Sequence, residues 1–416
     1  MKYDVVVLGG GIIGMSCALH LQKRGLSVAV VDKGKPGRGT SFGHAGLIER
    51  SSVVPYAFPR KVSELIRYAA NRSSAVHFDP FYLPRIAPWL ARYWWNSAPD
   101  RLRRAGADLL ALIEQSVVEH DALAKEAGAE DLLSGSGWIE VCRTDEALRQ
   151  AADHAEKMEA FGLQFETLDT SALLTLEPHL SHSLVGGVHW KDPKTTINPA
   201  GIVDRYAALF VSRGGVIAVG DARGLERGGI SAWHLNTDDG KILADQALLA
   251  LGPWSPAVYE PLGYRFPLAL KRGHHLHFSP SSGRSLGRPV LDEVNGFVLS
   301  PMVDGIRMAT GIDFSAPSDP PSLVQVERAW AKAREIFPLG AQVEETPWLG
   351  LRPCLPDMRP IIGPAPNHKG LWFAFGHAHH GFTLGPVTGR IVAEMMSGLT
   401  STLDAVPFRP ERFKAS

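Results

Sequence analysis

The stretch YDVVVLGGGIIGMSCALHLQKRGLSVAVVDK, residues 3–33, decides the fold. An apolar run over 4–8 leads into three consecutive glycines, and a second apolar run closes on Asp32. The pattern predicts a strand over 4–8, a helix over 11–24 and a strand over 27–32, which together make a βαβ unit. Gly25 suits the left-handed position just past a helix end. Gly9, Gly11 and Gly14 form a GxGxxG fingerprint placed between strand and helix. Gly9 permits the tight turn, Gly11 lets the backbone approach a pyrophosphate, and Gly14 lets the helix pack closely on the strand. Ile12 and Ile13 open a helix whose unpaired N–H groups and partial positive charge favour phosphate. Asp32, followed by Lys33, ends the second strand where a carboxylate reaches both ribose hydroxyls and repels a 2′-phosphate. The fingerprint specifies a dinucleotide and does not by itself separate NAD from FAD.

The remaining composition narrows the class. A chain of 416 residues suggests two or three domains. Lys plus Arg and Asp plus Glu are equal at 43 each, so no bulk charge recruits nucleic acid. Cys17, Cys142 and Cys354 are too few and too scattered for a disulfide framework or a metal site. No run of about 18 apolar residues is present, so no transmembrane helix is expected. The fingerprint starts too early for a signal peptide to precede it, and a cytoplasmic protein is expected. The segment YLPRIAPWLARYWWNS, residues 82–97, reads as a helix buried under a second domain. Peripheral contact with the inner face of a membrane is the alternative for its aromatic residues.

Beyond residue 33 the chain alternates between two kinds of material. Residues 34–55 read as an ordered loop and 60–128 as mainly helical. Strands are expected at 137–143, 185–192 and 214–219, and 247–255 reads as a buried strand running into a turn. A helix over 198–213 is introduced by Asn198 and Pro199. Residues 264–313 alternate as an antiparallel sheet does, and a helix follows near 321–336. The end of the chain reads as a strand, a glycine-rich loop and a helix closed by Gly398. The fold class expected is α/β: a Rossmann-like nucleotide-binding domain with an inserted mixed or antiparallel-sheet substrate domain. The first comprises 1–60, 145–255 and 340–416, the second 61–144 and 256–339.

Five motifs recur in the right order along nearly the whole chain: the amino-terminal fingerprint, GTSFGHAG (39–46), ALLALGPWS (247–255), WLGLRPCLPDMRPIIGP (348–364) and GHAHHGFTLGPVTG (376–389). Together they resemble the D-amino-acid oxidase family of flavoenzymes, most of all its bacterial D-amino-acid dehydrogenase branch. The resemblance implies FAD. It implies that Thr40, Ser41, Gly43, His44, Ala45 and Gly46 lie against pyrophosphate, ribityl chain and flavin ring. His44 stands where the branch usually has Asn, and is a candidate for flavin stacking or the substrate pocket. Arg223 lies near the adenine grip, and Gly252 and Trp254 lie where the family strand turns under the cofactor. Gly376, His377, His380, Gly381, Phe382 and Thr383 form a loop ahead of a helix, whose N–H groups and positive end would face the flavin pyrimidine. His377, His379 and His380 lack an i, i+4 spacing and a neighbouring carboxylate or cysteine, so no metal is expected.

The activity implied is oxidation of a D-amino acid to its imino acid, and so to the 2-oxo acid, by hydride transfer to the flavin. Such a reaction needs above all a clamp for the α-carboxylate, which a guanidinium fork fits. Arg352 matches the family position and Arg307 is the second candidate. Tyr56, Tyr264 and His380 are weaker contacts, and His275 and His277 share one face of a strand. The acceptor for reoxidation is a respiratory quinone or oxygen. Glycine, a secondary or cyclic amino acid, or an opine are the alternative substrates, and a scaffold subunit that only holds FAD is the non-enzymatic alternative.

Overall fold

A computed structural model describes residues 2–228, 232–281 and 283–413. Its first sheet grows from the amino-terminal unit. Strand Lys2–Leu8 lies between Val28–Asp32 and the carboxy-terminal half of Gly240–Leu249, parallel to both. Val216–Val219 extends the sheet on one side and Leu371–Phe375 on the other, again in parallel. Val5 to Leu8 and Val28 to Val31 are buried without alternation, as expected of a parallel sheet covered on both faces. The helix Ile12–Lys23 packs against Gly385–Met396 at very short range. A methyl group on Gly389 would come within 2.7 Å of the Ser16 backbone.

A second sheet is organised around the long strand Ala269–Pro280, which pairs antiparallel with Gly305–Thr310 and with Trp348–Cys354. The expected α/β architecture is present, but sheet membership shifts the expected segments. Inside 145–255, Gly186–Trp190 pairs with Trp138–Cys142 and Phe165–Asp169 pairs with Gly186–Trp190, so both belong to the second sheet. Trp348–Cys354, inside 340–416, also belongs there. Conversely the helix Pro99–Ala127, inside 61–144, contributes Leu109, Leu112 and Ile113 to the core shared with Ile12–Lys23. Alternation and propensity say that a segment pairs; they do not say with which partner, and here partners lie tens of residues apart.

Local signals behave as their chemistry demands. Asn198 Oδ1 accepts the Gly201 N–H at 2.8 Å and caps the helix Pro199–Ser212. Asn198→Ala is expected to cost about 1 kcal/mol, read as a lower urea midpoint at unchanged slope. Cys17, Cys142 and Cys354 are free thiols in the core. Among the described residues no helix is long and apolar enough to cross a membrane.

Candidate active site

One cavity of about 1440 Å³ runs from the amino-terminal glycine turn into the second sheet. That exceeds the roughly 300–1,000 Å³ of a single small-ligand pocket, and leaves room for a long cofactor beside a small substrate. Gly9, Gly11, Ile12, Ile13, Asp32 and Lys33 line its first end. Asp32 Oδ2 accepts the Gly10 N–H at 2.6 Å and Oδ1 the Gly34 N–H at 3.1 Å, so the carboxylate also braces the turn. Ser41 Oγ accepts the Ile12 N–H at 3.0 Å. Arg223 lines this end too, paired with Asp221, as do Gly252 and the half-exposed Trp254. Gly14 does not line the cavity; it is the packing contact behind it.

The loop 39–46 forms the middle of the wall through Thr40, Ser41, Gly43, His44 and Ala45. Gly43 lies flat on Trp348, whose ring a Cβ at this position would meet at 1.7 Å. Gly46, at φ +80°, faces the Thr196 carbonyl instead of the cavity. The His44 ring stacks on Phe382 at 4.9 Å, and its Nδ1 accepts the Gly46 N–H at 3.2 Å. Burial pushes His44 down to about 4, so it is neutral near pH 7.

Gly376, His377, His380, Gly381 and Phe382 close the far wall. Gly376 at φ +83° and Ala378 at φ 52° bend this loop back over the cavity. His377 is pushed down to about 3 by burial and its Nε2 meets Thr388 Oγ1 at 3.1 Å. Thr383 is fully buried behind the wall, where its hydroxyl accepts the Glu49 N–H at 3.2 Å. The helix Gly385–Met396 follows directly on this wall. Gly385 and Gly389 are used for contact with Ile12 and Ser16, and the short turn Ala378–Gly381 lines the cavity.

Of the two expected carboxylate clamps, Arg352 faces the cavity and Arg307 does not. Arg307 donates to His277 Nε2 at 2.9 Å and to the carbonyls of Phe42 and His44 at 2.9 and 2.6 Å. Its guanidinium is therefore used to hold the 42–44 loop. Tyr264 is likewise remote: its hydroxyl meets His368 Nδ1 at 2.7 Å inside an aromatic cluster with Phe266 and Phe373. His275 and His277 are buried behind the wall, one stacked on Trp348 and the other paired with Glu344. Tyr56 does line the cavity.

The lining residues not selected as site residues from the sequence include Lys271, Glu49 and His379. Lys271 stands directly opposite Arg352 on the neighbouring strand, so both side chains leave the same face of the sheet. Gly273 leaves the space across which the Arg352 guanidinium lies, 2.5 Å from where its Cβ would be. Arg352 donates to the Gly311 carbonyl at 2.9 Å, which aims it without neutralising it. Lys271 Nζ sits 4.0 Å from the Tyr93 ring centre, a desolvated cation held by an aromatic face. Glu49 approaches His379 and His380 from a distant part of the chain, so a carboxylate does stand beside those histidines.

The cavity fits the cofactor that the motifs imply. A Cβ on Gly11 would meet only Ser41 Oγ, at 3.4 Å, so the backbone here borders open space rather than protein. The remainder of a long ligand would run past the 39–46 loop to the 376–382 loop. Comparisons with known proteins agree. The family model DAO, FAD dependent oxidoreductase, matches residues 4–395. The D-amino acid dehydrogenase of Methylobacterium radiotolerans is 28% identical over 403 residues, covering 95% of this chain and 96% of that protein. The D-amino-acid oxidase of Bradyrhizobium diazoefficiens is 26% identical over 420 residues, covering 98% of each. Glycine oxidase from Geobacillus kaustophilus superimposes with a TM-score of 0.77 at 22% identity over all of both chains. L-Proline dehydrogenase from P. horikoshii does so at 0.74 and 18%, covering 99% of this chain and 98% of that one.

Proposed function

The chain belongs to the DAO family of FAD-dependent oxidoreductases, and from that premise we propose that it oxidises a D-amino acid to the 2-imino acid. The imino acid hydrolyses in water to the 2-oxo acid and ammonia. The observation that carries this reading is the Lys271–Arg352 pair, two cations side by side on the wall of a cavity that also holds the dinucleotide turn. Such a pair suits a carboxylate, and the Arg fork fixes its orientation. The D configuration is supported by the relatives named for D-amino acids. Bound FAD supplies the acceptor for the α-hydrogen and its electron pair. The protein holds the carboxylate, keeps His44 and His377 neutral near the reacting centre, and encloses the substrate away from water. Anaerobic mixing of the yellow protein with D- and L-amino acids tests the reading: D isomers are expected to bleach the flavin absorbance. Bleaching by L isomers alone would overturn the stereochemical assignment, and bleaching by none would overturn the substrate class.

The electron acceptor we propose is a respiratory quinone, reached from the inner face of a membrane. Residues 60–104 carry nine Lys or Arg against three Asp or Glu, in a chain with no net charge. The helix Val62–Ala69 buries none of its residues and exposes Val62 and Ile66, one turn apart. Its Leu65 and Tyr68 line the cavity. Arg60 lies over the Trp94 ring and Arg101 over that of Trp95, while Phe81 is 90% exposed. The helix Leu83–Asn96 buries Ile86, Trp89 and Tyr93 and shows Trp94 and Trp95 outward. Basic residues with exposed aromatics suit an anionic lipid surface. Co-sedimentation with phosphatidylglycerol vesicles is expected, falling with salt and lost in the Phe81→Glu/Trp95→Glu variant. Equal binding by that variant would remove the assignment.

A further inference from the structure

Two buried polar atoms at the cavity lack a hydrogen bond. Among the described residues, Glu49 Oε2 and His379 Nε2 are buried and make no hydrogen bond. Both residues line the cavity. With His380 they form a group in which one ligating atom of each residue lies within 4.8 Å of the others. A buried acceptor left unsatisfied costs about 1–3 kcal/mol, and more when charged. Two of them converging on one open space therefore suggest a donor that arrives from outside the protein.

The surroundings determine what that donor is. His380 Nε2 meets Ser52 Oγ at 2.9 Å and lies 3.4 Å from Glu49 Oε2, bracing the carboxylate from behind. Burial alone would raise the Glu49 carboxyl; His380, with His44 and Ser52, outweighs it and holds the group below its ordinary value. Burial, together with the cations Arg352 and Lys271 and the neighbouring His380 and His44, drives His379 well below the usual imidazole value. The Tyr56 ring packs 4.8 Å from that of His379. The pair thus offers an anionic carboxylate and a neutral imidazole, opposite in character to Lys271 and Arg352. A tetrahedral ammonium that donates to two acceptors at about 2.8 Å spans about 4.6 Å between them. That span falls inside the 4.8 Å that bounds the group.

We propose that Glu49 and His379 receive the amino nitrogen of the substrate, so that the cavity reads an amino acid at both poles. The carboxylate lies at Lys271 and Arg352, and the amine at Glu49 and His379. This rests on the amino-acid reading above. Glu49 repels a carboxylate, and with the His379 proton on Nδ1 both atoms accept from an N–H, so the arrangement also fixes which way round the substrate lies.

The FAD-loaded enzyme is titrated with methylammonium and with propionate, each followed by perturbation of the flavin absorbance, and with D-alanine under anaerobic conditions. Glu49→Gln is expected to weaken methylammonium at least tenfold and to raise the D-alanine half-saturation at least tenfold, with propionate changed less than twofold. His379→Asn is expected to move the same two probes in the same direction by a smaller factor, and Glu49→Asp to recover part of the loss. Parallel loss of propionate would mean that the cavity has simply collapsed, and would overturn the proposal. So would failure of methylammonium to bind the wild type, or unchanged binding in both variants. One zinc per chain that survives dialysis and disappears in Glu49→Gln would make the trio a metal site instead. The methylammonium and propionate arms need no turnover. Failure of every amino acid to bleach the wild type would therefore overturn the substrate class and leave this result standing or falling by itself.

Discussion

Arg352→Ala is expected to lower kcat/KM for the preferred amino acid by about 30- to 5,000-fold, the 2–5 kcal/mol of a truncated buried charge contact. The loss should fall mainly on KM if carboxylate binding is the same before and during reaction, and on kcat as well if the guanidinium sets the angle of the α-hydrogen. Arg352→Lys keeps the charge and loses the fork, and should sit between the two. Lys271→Met should cost less, because Lys271 is a single point charge against the Tyr93 ring rather than a two-pronged donor. The double variant should lose less than the product of the single losses, since both cations share one carboxylate. Arg352 also donates to the Gly311 and Thr310 carbonyls, so flavin content and thermal midpoint must be measured alongside. Unchanged kcat/KM in a folded, flavin-loaded Arg352→Ala protein would remove the clamp.

The pairing of Lys271 with Arg352 shows where reading the sequence stops. Arg352 sits in a motif, WLGLRP, that resembles a family position, and was legible for that reason. Lys271 sits in LALKRGHHLHF, where alternation predicts a strand and leaves open which face meets the cavity. Only the register of Ala269–Pro280 against Trp348–Cys354 puts the two cations on one face. Arg307 fails for the mirror-image reason. It lies on a correctly expected strand, but the cavity is not the nearest place for its charge: the bare carbonyls of Phe42 and His44 are. Glu49 could not be selected, because its partners lie more than 300 residues further along the chain. The amino-terminal unit, by contrast, was legible almost residue by residue. Its strand, turn and helix are contiguous, and each glycine has a local reason to be there.

Those reasons separate under substitution. Gly14→Ala is expected to abolish flavin retention and to lower the thermal midpoint by roughly 10 °C or more. A Cβ at residue 14 would lie 1.8 Å from the Gly9 carbonyl oxygen, a backbone atom that cannot rotate away. Gly9 is itself pinned: it sits at φ +108°, and its own Cβ position is 2.6 Å from the Ala250 carbonyl oxygen. Relief therefore requires lifting the helix Ile12–Lys23 from the strand Lys2–Leu8. That movement would also disturb the contact of the helix with Gly385–Met396, and a cost of at least about 4 kcal/mol is expected. Gly11→Ala is the contrasting case. Its Cβ meets only Ser41 Oγ, at 3.4 Å, an ordinary contact, so the protein without flavin should keep its midpoint within about 2 °C. The methyl group would instead occupy the space where a pyrophosphate must approach the backbone, and FAD affinity should fall about 10- to 100-fold, or about 1.4–2.8 kcal/mol. Flavin released on gel filtration and melting of the flavin-free protein distinguish the two. If Gly11→Ala were as unstable as Gly14→Ala, its glycine would be structural. If Gly14→Ala kept both its colour and its midpoint, the close approach of helix to strand would not be what positions the cofactor.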